Sequence, residues 1–162
     1  MKKKEALKPI IYQLLPRLFA NYNPEPVKDG TIEQNGSGRL NDITPGILRQ
    51  IRSLGATHVW YTGVIEHAHT PDYTRYGIPR HNPHIIKGKA GSPYAITDYY
   101  DIDPDLAVDV PSRIKEFERL VIRTHRAGLK VIIDFVPNHV GREYHSDARP
   151  KGIEDLGQGD NK

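Results

Sequence analysis

The stretch from Val110 to Phe135 constrains the fold more than any other part of the chain. Residues 110–127 carry apolar side chains at helical spacing, with Ile114, Phe117, Leu120, Val121 and Thr124 on the expected inner face. Asp109 or Ser112 stands where an N-cap belongs, and Gly128 where the helix should stop. KVIIDF, residues 130–135, follows at once and is apolar on both faces. Such a strand suits the interior of a parallel sheet, and parallel neighbours need crossover connections, which helices supply.

The same pattern recurs upstream. IIYQLL, residues 10–15, lies between Pro9 and Pro16 and reads as a short buried strand. Thr44 as N-cap, Pro45 at the first helical position, apolar Ile47, Leu48, Ile51 and Leu54, and Gly55 as a stop mark a helix. THVWYT, residues 57–62, has the β-branched and aromatic content of a second strand. Strand, helix, strand, helix, strand in alternation specifies βαβ units, a parallel sheet and right-handed crossovers. Residues 21–41 are rich in Asn, Gly, Pro and charge and read as a loop. Residues 63–109 read as a long irregular excursion whose five tyrosines argue against plain disorder. The stretch 141–162 is polar and without periodicity.

At 162 residues the chain is long enough for one ordinary domain with a sizeable core. Its 23 Lys and Arg against 20 Asp and Glu leave a small, scattered excess of positive charge, which argues against a nucleic-acid partner. Lys2-Lys3-Lys4 reads as a solvated terminus. The lack of cysteine excludes disulfides and thiolate metal sites. No clean apolar run of signal-peptide length opens the chain, and nothing approaches the roughly 20 apolar residues of a membrane span. The expectation is a cytoplasmic protein with no membrane contact.

Chemistry concentrates where strands end, because ligands of α/β folds gather at the carboxyl ends of their strands. Asp134, Asn138 and His139 follow the third strand, the tyrosine-rich excursion follows the second, and Arg17 and Phe19 follow the first. Asp134 closes an apolar strand, so desolvation penalises its charge unless a cation or donors hold it. A salt bridge to an arginine is the structural alternative to a functional role. His139 reads equally as an ordinary loop histidine, and Asn138 after Pro137 as a turn residue. His67, His69, His81 and His84 raise a zinc alternative, but no third ligand is marked and no HExxH helix is present.

The spacing D-x-x-x-N-H after the helix EFERLVIRTHRAGLKVI resembles the first signature region of the α-amylase superfamily, glycoside hydrolase family 13. IIYQLLPRLFA resembles that family's first barrel strand and its exit, and LRQIRSLGATHVWYTGV its first helix and second strand. SPYAITDYYDIDPDLA resembles the segment after the second strand, with Pro93 where a glycine is usual. The resemblance runs from about Ile10 to Val140, with four motifs in order. It implies a partial (β/α)8 barrel: residues 1–140 as its amino-terminal part, and residues 141–162 as the start of the loop domain inserted after the third strand.

The resemblance also implies roles. Tyr94 matches the tyrosine that stacks under the sugar ring, with a surface loop tyrosine as the alternative. His139 matches the histidine that hydrogen-bonds that sugar's hydroxyls, and Asp134 an acidic residue beneath the site. Asn138 matches an amide that binds calcium in many amylases, so calcium is possible but not required. Calcium wants six to eight oxygens, and Asn138 is the one recognisable ligand. Asn35-Gly36-Ser37-Gly38 stands where some relatives have a calcium loop but lacks their aspartates.

In the resembled family the nucleophile aspartate follows the fourth strand, the acid/base glutamate the fifth and a helper aspartate the seventh. The three strands read here carry none of them, so no catalytic residue is assigned in this chain. The expectation is therefore the amino-terminal part of a glycosidase or transglycosidase acting on α-glucans, inactive by itself. The alternative is a non-catalytic remnant or partner-dependent half-barrel that binds sugar weakly. Open sheet edges would favour self-association in either case.

Overall fold

The computed structural model describes residues 8–159. Lys2-Lys3-Lys4 lies outside the described residues. Strand β1 (Ile11–Leu14) leads into a single helical turn, α1 (Pro16–Phe19), and a short helix, α2 (Ile32–Asn35), sits in the loop before α3 (Pro45–Ser53). Then come β2 (His58–Tyr61), β3 (Ile65–His67), β4 (Ile96–Ile102), α4 (Arg113–Arg126) and β5 (Lys130–Ile133). β1, β2 and β5 form the expected parallel sheet, with β2 central.

The helix boundaries follow their local chemistry. Thr44 Oγ1 accepts from the Ile47 N–H and Pro45 stands at the first helical position, as the sequence implies. Gly55 turns the chain at φ +89°, a conformation costly for any residue with a Cβ. Leu54 falls at the C-cap, beyond the last full turn, and is exposed rather than packed.

At α4 neither Asp109 nor Ser112 caps with its side chain. Buried Glu116 reaches back instead, accepting from Asp109 N–H at 2.8 Å and Val108 N–H at 3.0 Å, and also from Asn41 Nδ2 at 3.0 Å. The inner face of α4 is rotated accordingly. Arg113, Glu116, Leu120 and Thr124 are buried, Phe117 and Val121 are half-buried, and Ile114 is exposed.

Alternation along the strands gives the sheet two distinct faces. Leu14, Val59 and Tyr61 lie on the face covered by helices, where Tyr61 Oη meets Thr124 Oγ1 at 2.6 Å. Gln13, Trp60 and Ile132 share the other face, since Gln13 pairs with Trp60 and Trp60 with Ile132. β5 is less buried than a doubly apolar strand implies: Val131 and Ile132 are half-buried and Ile133 is exposed. The reason is its place at the edge of the described sheet, where one side has no neighbour.

The excursion after β2 is not irregular throughout. β3 and β4 form an antiparallel hairpin, with register shifts on either side of Glu66 that set Glu66 opposite Asp98. Period-two reading misses it, because the bulge breaks the alternation and polar residues occupy buried positions. The segment after Val140 lies along β4, with Gly141 N–H on Ile96 O at 2.6 Å and His145 N–H on Thr97 O at 3.0 Å.

One guanidinium holds this junction. Arg113 Nη2 contacts Asp101 Oδ2 and lies 3.1 Å from Asp147 Oδ2 and 3.8 Å from Glu66 Oε2. Among the described residues, Glu66 Oε2 and Asp98 Oδ2 are buried without hydrogen-bond partners. Burial, reinforced by the like charges of Asp98, Asp147 and Asp103, pushes the Glu66 carboxyl up to about 9 against the pull of Arg113. Glu66 is therefore protonated at neutral pH.

Two outcomes follow from this packing. Leu120→Ala should cost about 2–5 kcal/mol in urea unfolding, while Ile114→Ala should stay within about 0.5 kcal/mol. Equal losses would restore Ile114 to the core. The second concerns pH. A carboxyl raised in the folded state stabilises it fully below its unfolded value, and that contribution drains away as pH climbs to about 9. Between pH 5 and 8, stability should fall with pH more steeply in the native protein than in Glu66→Gln, by up to about 1.4 kcal/mol per pH unit. Parallel pH profiles would mean that Glu66 is ionised in the folded protein.

Candidate functional site

Sheet register delivers the first functional group. Asp134 stands two residues beyond Ile132, on the face shared with Trp60. Trp60 Nε1–H donates to Asp134 Oδ1, and the Gly63 N–H lies 3.3 Å from Asp134 Oδ2. Gln13 Nε2 donates to Thr62 Oγ1 at 2.8 Å in the equivalent step between β1 and β2. Among the described residues, Asp134 is thus held by neutral donors and not by an arginine salt bridge. Trp60 is the partner that sequence reading missed. Its signal was present, because a tryptophan two positions short of the end of THVWYT must face the same way as Asp134 if the strands are parallel and in register.

Tyr94 stands over the same face. With Ile11, Trp60, Ile132, Asp134 and Phe135 it lines an open hollow of about 510 Å³ that runs along this face of the sheet to the carboxyl ends of the strands. Tyr94 is 47% exposed, enough to present an aromatic surface to a ligand. The turn that carries it is narrow: Ala95 N–H bonds to Ser92 O at 2.9 Å, and Gly63, at φ +69°, lies directly beneath Pro93. A Cβ on Gly63 would stand 2.8 Å from the proline ring, so glycine is required there.

His139 and Asn138 are exposed on the loop after β5, with His139 Nδ1 2.7 Å from Asn138 Oδ1. They line a second hollow, of about 650 Å³, with Tyr99, Tyr100, Phe135 and Tyr144. Tyr99 Oη donates to the Val136 carbonyl and to His139 O at 3.2 Å, which ties this loop to β4. The four residues singled out from sequence therefore gather at one end of the sheet but divide between two adjoining hollows. Tyr94 and Asp134 share one, Asn138 and His139 the other, and Phe135 stands between them.

Asn138 is the residue matched to a calcium ligand. Its side-chain oxygen is turned to His139, and no group of three histidine or acidic side chains surrounds it among the described residues. The one such group is Glu66, Asp101 and Asp147, and Arg113 already supplies the positive charge there. Nor do the loop histidines form a zinc site among the described residues.

His67 and His69 instead turn toward Asp103, with Nδ1 atoms 3.0 and 3.7 Å from its Oδ2. Arg17, at the exit of β1, completes this buried network: Nη2 lies 3.0 Å from Asp105 Oδ2, 3.5 Å from Asp103 Oδ1 and 3.4 Å from His67 Nε2. Burial opposes charge on Asp103, yet His67, His69 and Arg17 hold its carboxyl well below the usual range. Burial likewise opposes charge on His69, but Asp103 raises its imidazole above the ordinary value. His81 packs edge-on against His69, and His84 is exposed.

Comparison with known proteins agrees with this architecture. The family model described as "Alpha amylase, catalytic domain" matches residues 13–153. Maltase 1 of Drosophila virilis is 29% identical over 151 residues, covering 91% of this chain and 18% of that protein. An amino acid transporter heavy chain of Mus musculus is 30% identical over 134 residues, covering 83% of this chain and 14% of that protein. The crystal structure of an α-amylase from Lactobacillus plantarum superposes with a TM-score of 0.56 at 26% identity, over 83% of this chain and 24% of that one. The chain thus spans under a fifth of the length of these curated relatives. With parallel strands in the expected order and a family match over most of its length, the chain belongs to the α-amylase family of catalytic domains.

Proposed function

We propose that this chain supplies the sugar-docking wall of an enzyme that cleaves or transfers α-linked glucosyl units. The hollow over Trp60 carries the reading. It sets a half-exposed tyrosine ring and a braced carboxylate at the carboxyl ends of parallel strands, where such folds bind ligands. In this reading Tyr94 stacks on the apolar C–H face of a pyranose, and few rotatable bonds must be fixed to place it. His139, with Nδ1 engaged by Asn138, offers Nε2 to a sugar hydroxyl, accepting when neutral and donating when protonated. Asp134 braces the floor through Trp60 and Gly63 and moves no proton. The substrate class, α-glucans or maltooligosaccharides, follows from the family resemblance and from the maltase relative. Among the described residues no helix is long and apolar enough to cross a membrane, and a cytoplasmic location is part of the proposal.

Retaining hydrolysis needs two carboxyl groups about 5–5.5 Å apart, one attacking and one exchanging protons. Asp134 is the one acidic group lining the Tyr94 hollow, and its oxygens are already engaged. The transporter heavy chain favours a second reading, since a protein named for another task carries a similar segment. On that reading the chain is a non-catalytic half-barrel with weak sugar affinity at most.

The purified 162-residue chain should show no turnover of maltooligosaccharides. Inhibitor-sensitive release of glucose by that chain would assign the chemistry to residues within it. In a completed enzyme, Tyr94→Ala or His139→Ala should lower kcat/KM for maltose at least about tenfold with the fold intact. Tyr94→Phe should retain activity, because stacking needs the ring and not the hydroxyl. Unchanged kinetics in both alanine variants would favour the non-catalytic reading.

A further inference from the structure

The buried ion network at the exit of β1 lies outside both hollows, yet its contacts lead to Tyr94. Arg17 Nη1 donates to Ala90 O at 2.6 Å, four residues before the tyrosine. On the other side, residues 68–70 run beside residues 89–95: Ala68 N–H bonds to Ala95 O at 3.0 Å and Thr70 N–H to Lys89 O at 2.9 Å. Gly91, at φ +74°, passes so close to the Ala68 carbonyl that any Cβ would overlap it. The strand segment that grips this turn is anchored by Asp103, which faces both His67 and His69. Arg17 is paired with the same Asp103 and with Asp105. The turn bearing Tyr94 is thus gripped from two sides by groups that meet at one buried carboxylate.

Accepting the reading of Tyr94 as a sugar platform, we propose that Arg17 and Asp103, with Asp105, His67 and His69, are positioning residues that set the orientation of the Tyr94 ring. A hydrophobic cluster would fill the same volume without directing the backbone. The guanidinium differs because its fork of donors fixes direction as well as charge: one arm takes a backbone carbonyl of the turn while the other pairs with carboxylates. An ammonium at this position keeps the charge and loses the fork.

The test uses a completed enzyme of the kind proposed above, read by maltose hydrolysis. Arg17→Lys should keep the thermal midpoint close to that of the native protein and lower kcat/KM about tenfold. In a Tyr94→Ala background the same substitution should change kcat/KM less than twofold, because its target is gone. Asp105→Asn, which leaves Asp103 in place, should show the same dependence on Tyr94 and serves if Arg17→Lys folds poorly. Losses that multiply undiminished in the double variants would overturn the proposal. Ring orientation is read separately from the 19F resonance of 3-fluorotyrosine at position 94, which should shift or broaden in Arg17→Lys. An unchanged resonance overturns the proposal whatever the kinetics. A shifted resonance with silent Tyr94→Ala kinetics supports the positioning and removes the sugar platform instead.

Discussion

A carboxylate with no access to water organises this chain. Asp103 is fully buried, where an isolated charge would cost several kcal/mol in lost solvation. It is retained as an anion because Arg17, His67 and His69 converge on it. Those partners come from the exit of the first parallel strand and from the excursion after the second. The loop hairpin is thereby pinned to the sheet in one orientation, which apolar packing alone specifies less sharply. Buried ion networks often add little net stability, and here geometry is the return. Arg113 plays a corresponding part at neighbouring hairpin positions, tying α4, β3, β4 and the segment after Val140 around three carboxyl groups.

The sheet supplies the other constraint. Parallel pairing of β2 with β5 sets Trp60 against Ile132, and the two-residue repeat then leaves Asp134 on the same face. An indole donor reaches it, so the carboxylate is braced by a neutral group. Tyr94 descends onto this face from the hairpin. A rigid floor comes from the strands and an aromatic wall from the excursion, and the buried network joins the two.

Much of this was legible in the sequence, for reasons that differ element by element. Thr44, Pro45 and Gly55 mark α3 because caps and stops are local chemistry, read within a few residues. KVII declared a parallel strand through composition alone. The hairpin of β3 and β4 was not legible. Its buried positions hold Glu66, His67, Thr97 and Asp98, so polarity suggests a loop where the chain is interior. The capping of α4 was legible only in part: Ser112 stands at the N-cap position but makes no side-chain cap. Asp109 and Ser112 had the right identity at the right place, but Glu116 reached backward from within the helix. The gathering of Tyr94, Asp134, Asn138 and His139 at one end was foreseen from strand order. Their division into two hollows was not, because it depends on where Phe135 points.

The transporter heavy chain and the maltase share this segment with the present chain, yet their names assign them different tasks. The structure suggests how one architecture accommodates both. The elements that hold the segment together, Asp103 with its partners and Arg113 with its carboxyls, are buried apart from half-buried Arg17 and exposed Asp147, and owe nothing to a ligand. The groups that would meet sugar, Tyr94 and His139, are exposed and contribute little to packing. Fold and docking surface are therefore separable: either exposed side chain can change without disturbing the ion networks. The same networks, once in place, hold the tyrosine turn at fixed height above the strand ends whether or not catalysis follows.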